Sequence, residues 1–93
     1  MSDQKLLCNT ASALTAGSTS TNFNVPNRGF AVGLKSSGLA GSEVVSIYTM
    51  VNGTWVDTGE ELTVAAPHRT MTATGEYTIA KEVTAGAVVV VAD

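Results

Sequence analysis

The side chains best suited to chemistry in this chain are few and far apart in sequence. His68 is the only histidine and Cys8 the only cysteine. Acid–base or nucleophilic catalysis needs such a group beside a base or carboxylate partner, and no local pattern supplies one. One histidine and one cysteine also cannot provide the three or four nitrogen and sulfur ligands of a zinc site. We therefore expect no catalytic residue, no metal and no cofactor, and hence no enzyme.

Each of these residues has an ordinary structural interpretation. Cys8 is expected to be a small buried hydrophobic residue, and His68, which follows Pro67, a turn residue. Glu60 and Glu61 form the only adjacent acidic pair. Neighbouring strand residues face opposite sides, so this pair is predicted to be a turn and strand start rather than a carboxylate dyad.

Composition narrows the class of protein and its partners. The chain has 93 residues, 44% of them hydrophobic and 14% charged, which is typical of one folded domain. A net charge of −3 and scattered cations argue against binding nucleic acid, which needs a clustered positive face. The longest apolar run, residues 87–92, is too short to cross a membrane, and no signal peptide is evident. We expect a protein made in a reducing cytoplasm that leaves it only inside a larger particle.

A β-hairpin is the clearest local feature. Residues 43–51 and 54–57 contain many residues with high β-strand propensity. They flank Asn52-Gly53, a pair that favours a type I′ turn. That turn predicts Met50 opposite Trp55 and Tyr48 opposite Asp57. Tyr48, Met50 and Trp55 then share one side of the hairpin as a candidate aromatic cluster, with Trp55 expected in or near the core.

Further strands follow from alternating polarity, and no helical periodicity is found. They cover residues 28–35, 61–66 (with Leu62 and Val64 inward) and 76–81, with a turn at Thr58-Gly59. The predicted fold class is all-β, a small single-domain β-sandwich or barrel of about 6–8 short antiparallel strands. The Gly75-Glu76-Tyr77 segment is similar to the tyrosine corner of immunoglobulin-like sandwiches, in which the tyrosine hydroxyl bonds to upstream backbone.

The two ends of the chain depart from this pattern. Residues 1–24 are predicted to be an extended polar arm or loosely packed strands, and residues 25–93 the β-sandwich core. The C-terminal segment 86–92 does not alternate, so both of its faces need cover. One valine pair should enter the core, and the other should be covered by the N-terminal segment, a neighbouring subunit or the capsid shell. The candidate interface residues are Leu14, Phe23, Val88, Val89, Val90 and Val91.

As a whole, the chain resembles the small structural proteins of tailed bacteriophages, especially capsid decoration (cement) proteins. The resemblance lies in the Ser/Thr/Ala/Gly-rich composition, the hairpin around Asn52-Gly53-Thr54-Trp55 and the closing segments 75–81 and 84–89. It implies a virion protein, made in the host bacterial cytoplasm, that binds the major capsid protein on the capsid surface. It also implies a homo-oligomer, a trimer or dimer, that bridges neighbouring capsid subunits.

Two alternatives stay open at this point. One is another head or tail component, such as a head fibre base or a connector. The other is a small carbohydrate-binding module, in which Trp55, Tyr48 and Tyr77 would form an exposed platform for stacking on sugars.

Overall fold

A computed structural model of the protein describes residues 4–17, 21–26 and 30–93, and these residues form eight β-strands. The strands are β1 (Lys5–Thr10), β2 (Phe23–Val25), β3 (Val32–Ser37), β4 (Val45–Val51), β5 (Thr54–Leu62), β6 (His68–Met71), β7 (Gly75–Lys81) and β8 (Val88–Ala92). Every strand pair is antiparallel. The predicted all-β class is confirmed.

The strands form two four-stranded sheets with nested pairing. The first sheet has the order β1-β8-β3-β6 and the second the order β2-β7-β4-β5. The first strand thus pairs with the last, the second with the seventh, the third with the sixth and the fourth with the fifth. This connectivity is that of the eight-stranded jelly roll, a double-sheet form of the β-sandwich.

The core lies between the inner faces of the two sheets. Both sheets contribute side chains with no exposed area, namely Leu34, Val88 and Val90 from the first sheet and Val45, Ile47, Leu62 and Ile79 from the second. Burying each such side chain is worth about 1.5–3 kcal/mol. Packing of these aliphatic residues across the sandwich is therefore the main stabilising contribution.

The predicted hairpin is present in its predicted register. Met50 lies opposite Trp55 and Tyr48 opposite Asp57. Asn52 and Gly53 have φ angles of 50° and 81°, the positive values that a type I′ turn requires. Glycine and asparagine adopt this conformation at little cost, so the turn fixes the pairing of β4 with β5.

The second half of β5 corrects the sequence prediction. Thr58-Gly59 does not end the strand, because β5 continues to Leu62 through a bulge where its register against β4 shifts. The Thr58 hydroxyl donates to the Ile47 carbonyl (2.8 Å), and the Gly59 N–H donates to the Asp57 carboxylate (2.8 Å). The turn residues are thus accommodated inside a strand, as bulges allow. Glu60 and Glu61 consequently lie near the end of β5 rather than at a strand start.

Three further boundaries differ from the predicted ones. His68 begins strand β6 instead of occupying a turn, and Val64, predicted inward, is 49% exposed in the preceding connection. Short edge strands such as β6 bury few side chains, so His68 to Met71 shows no apolar alternation. The strand predicted over 28–35 begins at Val32, which leaves Phe30 exposed; positions 27–29 lie outside the described residues.

The N-terminal segment is more closely integrated than the sequence predicts. Strand β1 pairs with β8, and β2 pairs with β7, so the described part of residues 1–24 belongs to both sheets. A register shift between Leu6 and Cys8 lets the neighbouring residues Leu7 and Cys8 both face the core. Such a bulge hides the period-two alternation that would have marked a strand. Of the two forms predicted for residues 1–24, an extended arm or loosely packed strands, the described part takes the form of strands within the sandwich.

Tyr77 makes the corner contact that its sequence context predicts. Its hydroxyl donates to the Ala73 carbonyl at 2.7 Å, and its ring stacks on Phe23 with a centroid separation of 5.4 Å. The hydroxyl fixes the chain entering β7, while the stacking joins β7 to β2. One side chain thus anchors both the loop before β7 and the short edge strand beside it.

We expect Tyr77→Phe to lower the free energy of unfolding by about 1 kcal/mol, the usual net value of one hydrogen bond. The ring and its stacking on Phe23 remain, so the fold should be retained. Urea denaturation followed by far-UV circular dichroism measures the change. Tyr48→Phe is the control, because no hydrogen bond of its hydroxyl is found among the described residues. Equal stability of the two variants would contradict a role for the Tyr77 hydroxyl.

Candidate interaction surfaces

The residues that could do chemistry are not brought together. Among the described residues, no group of three or more His, Cys, Asp and Glu side chains is close enough to hold a metal ion. His68 is exposed on edge strand β6, whereas Cys8 is buried on β1. The described residues form no helix that is long and apolar enough to span a membrane.

Cys8 occupies the position expected of it, inside the core. Its Sγ donates to the Val88 carbonyl at 3.4 Å. Burial raises the pKa of the thiol above its ordinary value, and backbone hydrogen bonding and the nearby charge of Lys81 offset only part of that rise. Cys8 is therefore a protonated, shielded thiol at neutral pH rather than a nucleophile.

Lys81 has an environment that the sequence does not reveal. It faces the interior at the end of β7, is only 6% exposed and donates from Nζ to the Thr84 hydroxyl (3.1 Å) and the Glu82 carbonyl (3.3 Å). Nearby, the Glu43 carboxylate accepts the backbone N–H groups of Ala40 (3.0 Å) and Ala85 (2.8 Å). These charge-assisted bonds close one end of the sandwich and join its loops. No spacing pattern in the sequence could have indicated them.

The outer face of the first sheet combines apolar and polar side chains in two rows. In one row Val91 lies between Leu6 and Lys35, and in the other Val89 lies between Asn9 and Ser37. Directly opposite residues in an antiparallel sheet point to the same side. We call this surface the first-sheet outer face; it comprises Leu6, Asn9, Lys35, Ser37, His68, Val89 and Val91.

Electrostatics on the first-sheet outer face are weak. Lys35 and Asp93 form an ion pair at 3.5 Å, and their side chains are 47% and 27% exposed. Solvent screening limits such a pair to at most about 1 kcal/mol. Leu6, by contrast, is 56% exposed beside Val91. The first-sheet outer face therefore presents to solvent a small apolar centre surrounded by polar side chains with little net charge.

The structure separates the six predicted interface residues. Phe23, Val88 and Val90 lie in the core, and Leu14 is partly buried against it. Only Val89 and Val91 reach the first-sheet outer face, where both are half-buried. The prediction that one valine pair packs inside is therefore confirmed for β8, and the cover of the other pair stays a prediction. The sequence missed Leu6, because Leu6, Leu7 and Cys8 form an unbroken apolar run that obscures which residue points out.

The predicted aromatic cluster lies on the outer face of the second sheet. Met50 is directly opposite Trp55, Tyr48 precedes Met50 by one pleat on the same face, and all three are partly exposed. Trp55 is approached by Gly17, whose position leaves no room for a side chain against the indole. Tyr77 lies on the inner face and is 4% exposed. The three-residue sugar platform of Trp55, Tyr48 and Tyr77 is therefore not formed.

Comparison with known proteins adds no relative. No protein family matches the chain, and no curated protein or solved structure matches it significantly. The functional argument consequently depends on the geometry of the surfaces.

We expect the Cys8 thiol to react with an aromatic disulfide reagent at neutral pH on the order of 100-fold more slowly in the native protein than in the urea-unfolded protein. The buried thiol can react only when the structure around it opens. Absorbance of the released thiolate gives both rates. Equal rates in the two conditions would show that Cys8 is accessible.

The raised pKa of the Cys8 thiol also sets the sign of a pH effect. The folded state holds this proton more tightly than the unfolded state, so the resulting stability is present at neutral pH. It should be lost as the pH rises above about 9 and through the raised folded-state value. The free energy of unfolding, measured by denaturation at about pH 8 and about pH 10, should therefore change less with pH in Cys8→Ala than in the native protein. A Cys8→Ala difference as large as the native one would contradict this assignment.

Proposed function

We propose that this protein is a non-enzymatic virion structural protein that binds the assembled capsid surface of a tailed bacteriophage and bridges neighbouring major capsid protein subunits. Its resemblance to capsid decoration proteins suggests this role. The jelly-roll topology is compatible with it, because viral capsid domains are among the proteins built on this fold. A fold hosts many functions, so the argument has to come from a surface.

The observation that carries the proposal is the first-sheet outer face. Val89 and Val91 sit in the middle of the sheet, on a strand that has neighbours on both sides. A position of this kind on a solvent-facing sheet usually holds a polar residue. Together with Leu6 they make a flat apolar centre, bordered by Asn9 and Ser37, which can hydrogen-bond at the rim of an interface.

The size of this face indicates how it would bind. Four strands spaced about 4.8 Å apart, each presenting roughly five residues at about 3.3 Å, give a footprint of roughly 300 Å². A standard interface buries about 800 Å² on each partner. One such contact would therefore be weak. Several copies in a homo-oligomer, or on a repetitive shell, would gain affinity from multivalency without any reactive group.

The direct test is co-sedimentation with expanded shells assembled from the major capsid protein of the same genome. The expected result is saturable binding at a fixed number of copies per capsomer, with raised thermal stability of the shells. Binding to isolated tails or connectors instead would assign the protein to another part of the virion. Retention on a polysaccharide column without shell binding would overturn the proposal in favour of carbohydrate recognition.

Lysine substitutions at two adjacent valines separate folding from binding. Val89→Lys places a charge on the first-sheet outer face, beside Asn9 and Ser37, where no like charge is directly opposite. We expect it to fold normally and to lose at least tenfold in shell affinity. Val90→Lys puts an ammonium into the fully buried core and should unfold the protein.

Circular dichroism measures the folding of both variants, and co-sedimentation measures the affinity of Val89→Lys. Val83→Lys is the matched control, because it makes the same substitution at an exposed valine between β7 and β8, outside the first-sheet outer face, and should bind shells as the native protein does. Undiminished shell binding by Val89→Lys would exclude the first-sheet outer face as the interface.

A further inference from the structure

Residues 11–17, which follow β1, lie against the end of β7 and against Trp55. We call residues 11–17 the strap. The Leu14 N–H donates to the Lys81 carbonyl (2.8 Å), and the Lys81 N–H donates to the Leu14 carbonyl (3.1 Å). The Thr84 N–H donates to the Ala11 carbonyl at 2.9 Å. The strap is therefore held at one end by backbone hydrogen bonds to the end of β7 and to the residues that follow it.

The other end of the strap rests on Trp55. Gly17 has a φ angle of 94°, and a Cβ atom added to it would lie 2.5 Å from Trp55 Nε1. Its N–H donates to the Thr78 hydroxyl at 3.3 Å. A larger residue here would be strained by the backbone conformation and would push against the indole, so glycine is favoured. Trp55 is thus covered by a backbone segment that has no side chain of its own there.

One buried residue beside the strap is polar. Thr78 is fully buried although it points to the outer face of the second sheet, and its hydroxyl lies 2.8 Å from that of Thr21. Removing the cover would expose a hydroxyl that water can solvate. Of the strap residues only Leu14 packs against the core cluster. Separation of the strap would therefore leave the aliphatic packing between the two sheets largely intact.

We propose that the strap opens and closes over the outer face of the second sheet while the sandwich stays folded, and that opening exposes Trp55. This device is independent of the first-sheet outer face, so it stands whether or not that face binds a shell. In the closed state Gly17 lies against the indole and the hydrogen bonds from Leu14 and Gly17 are made. In the open state Trp55, Met50 and Tyr48 form a continuous accessible patch.

Native-state amide hydrogen exchange tests the proposal on the unaltered protein. Opening of the strap alone predicts that the amides of Leu14, Gly17 and Lys81 exchange at least tenfold faster than the amides of Thr78 and Ala80, which point to β4 rather than to the strap. Their exchange should also depend little on low urea concentrations, because local opening exposes little surface. Exchange of all these amides at one common rate, with one common urea dependence, would show that the strap opens only on global unfolding and would overturn the proposal.

Trp55 is the only tryptophan in the chain, so its fluorescence reports on the strap directly. Gly17→Ala should shift the emission to longer wavelength and raise the acrylamide quenching constant about twofold or more. Gly59→Ala is the matched control: its φ angle is also positive, at 84°, but an added Cβ meets nothing within 4 Å. Both variants carry the backbone strain, and only the first disturbs the contact with Trp55.

Thr78→Val provides a second variant without backbone strain, in case Gly17→Ala fails to fold. It removes the hydroxyl that accepts the Gly17 N–H and contacts Thr21 while keeping the side-chain shape. The expected result is a rise of roughly tenfold in the exchange rate of Gly17, with the circular dichroism spectrum unchanged. Thr49→Val, which removes a hydroxyl bonded to the Glu76 carbonyl, should leave the strap amides unaffected. Unchanged Gly17 exchange and unchanged Trp55 emission in a folded Thr78→Val variant would count against the strap.

Discussion

Burial of one face of β8 is the constraint on which the rest of this structure depends. Val88 and Val90 have no exposed area, and the strand lies between β1 and β3 in the first sheet. The last strand can hold this central position only if the first strand comes to pair with it. The pairing of β1 with β8 is the outermost of four nested pairs, and the three inner pairs follow inside it. A loss of packing at Val90 would therefore disturb the strand that connects both ends of the chain to the core.

How much of the fold the sequence predicts depends on how local the determining interaction is. The register of the β4–β5 hairpin is predicted correctly from Tyr48 to Asp57, because Asn52-Gly53 sets it through the backbone conformations that these two residues favour. The Tyr77 corner is likewise a contact with a residue four positions away. Bulges defeat the same reasoning, since Leu7 and Cys8 point inward together and Gly59 is absorbed into β5. In both places one strand accommodates extra residues, a feature that period-two alternation cannot represent.

The candidate surfaces were harder to predict than the fold, and β8 shows why. Four consecutive valines predict that two faces need cover, but not which pair is inside. That choice depends on the register with β1 and β3, where Val90 meets Cys8 and Ser36 while Val89 meets Asn9 and Ser37. Lys81 is a second residue whose environment the sequence does not predict. A lysine normally predicts an exposed position, yet this one is buried because Thr84 and the Glu82 carbonyl accept its hydrogen bonds.

The two outer faces of the sandwich meet solvent in different ways, and this asymmetry is consistent with a division of roles. Part of the outer face of the second sheet is covered by the protein's own chain, with Gly17 against Trp55 and Thr21 against Thr78. The first sheet leaves Leu6, Val89 and Val91 without such cover from any described segment. Apolar side chains that reach solvent in the middle of a sheet favour binding of that face to another surface. A face covered by its own chain has fewer such side chains available for binding. The first sheet therefore offers a partner the side chains of Leu6, Val89 and Val91, whereas on the second sheet the chain's own backbone already occupies the surface beside Trp55.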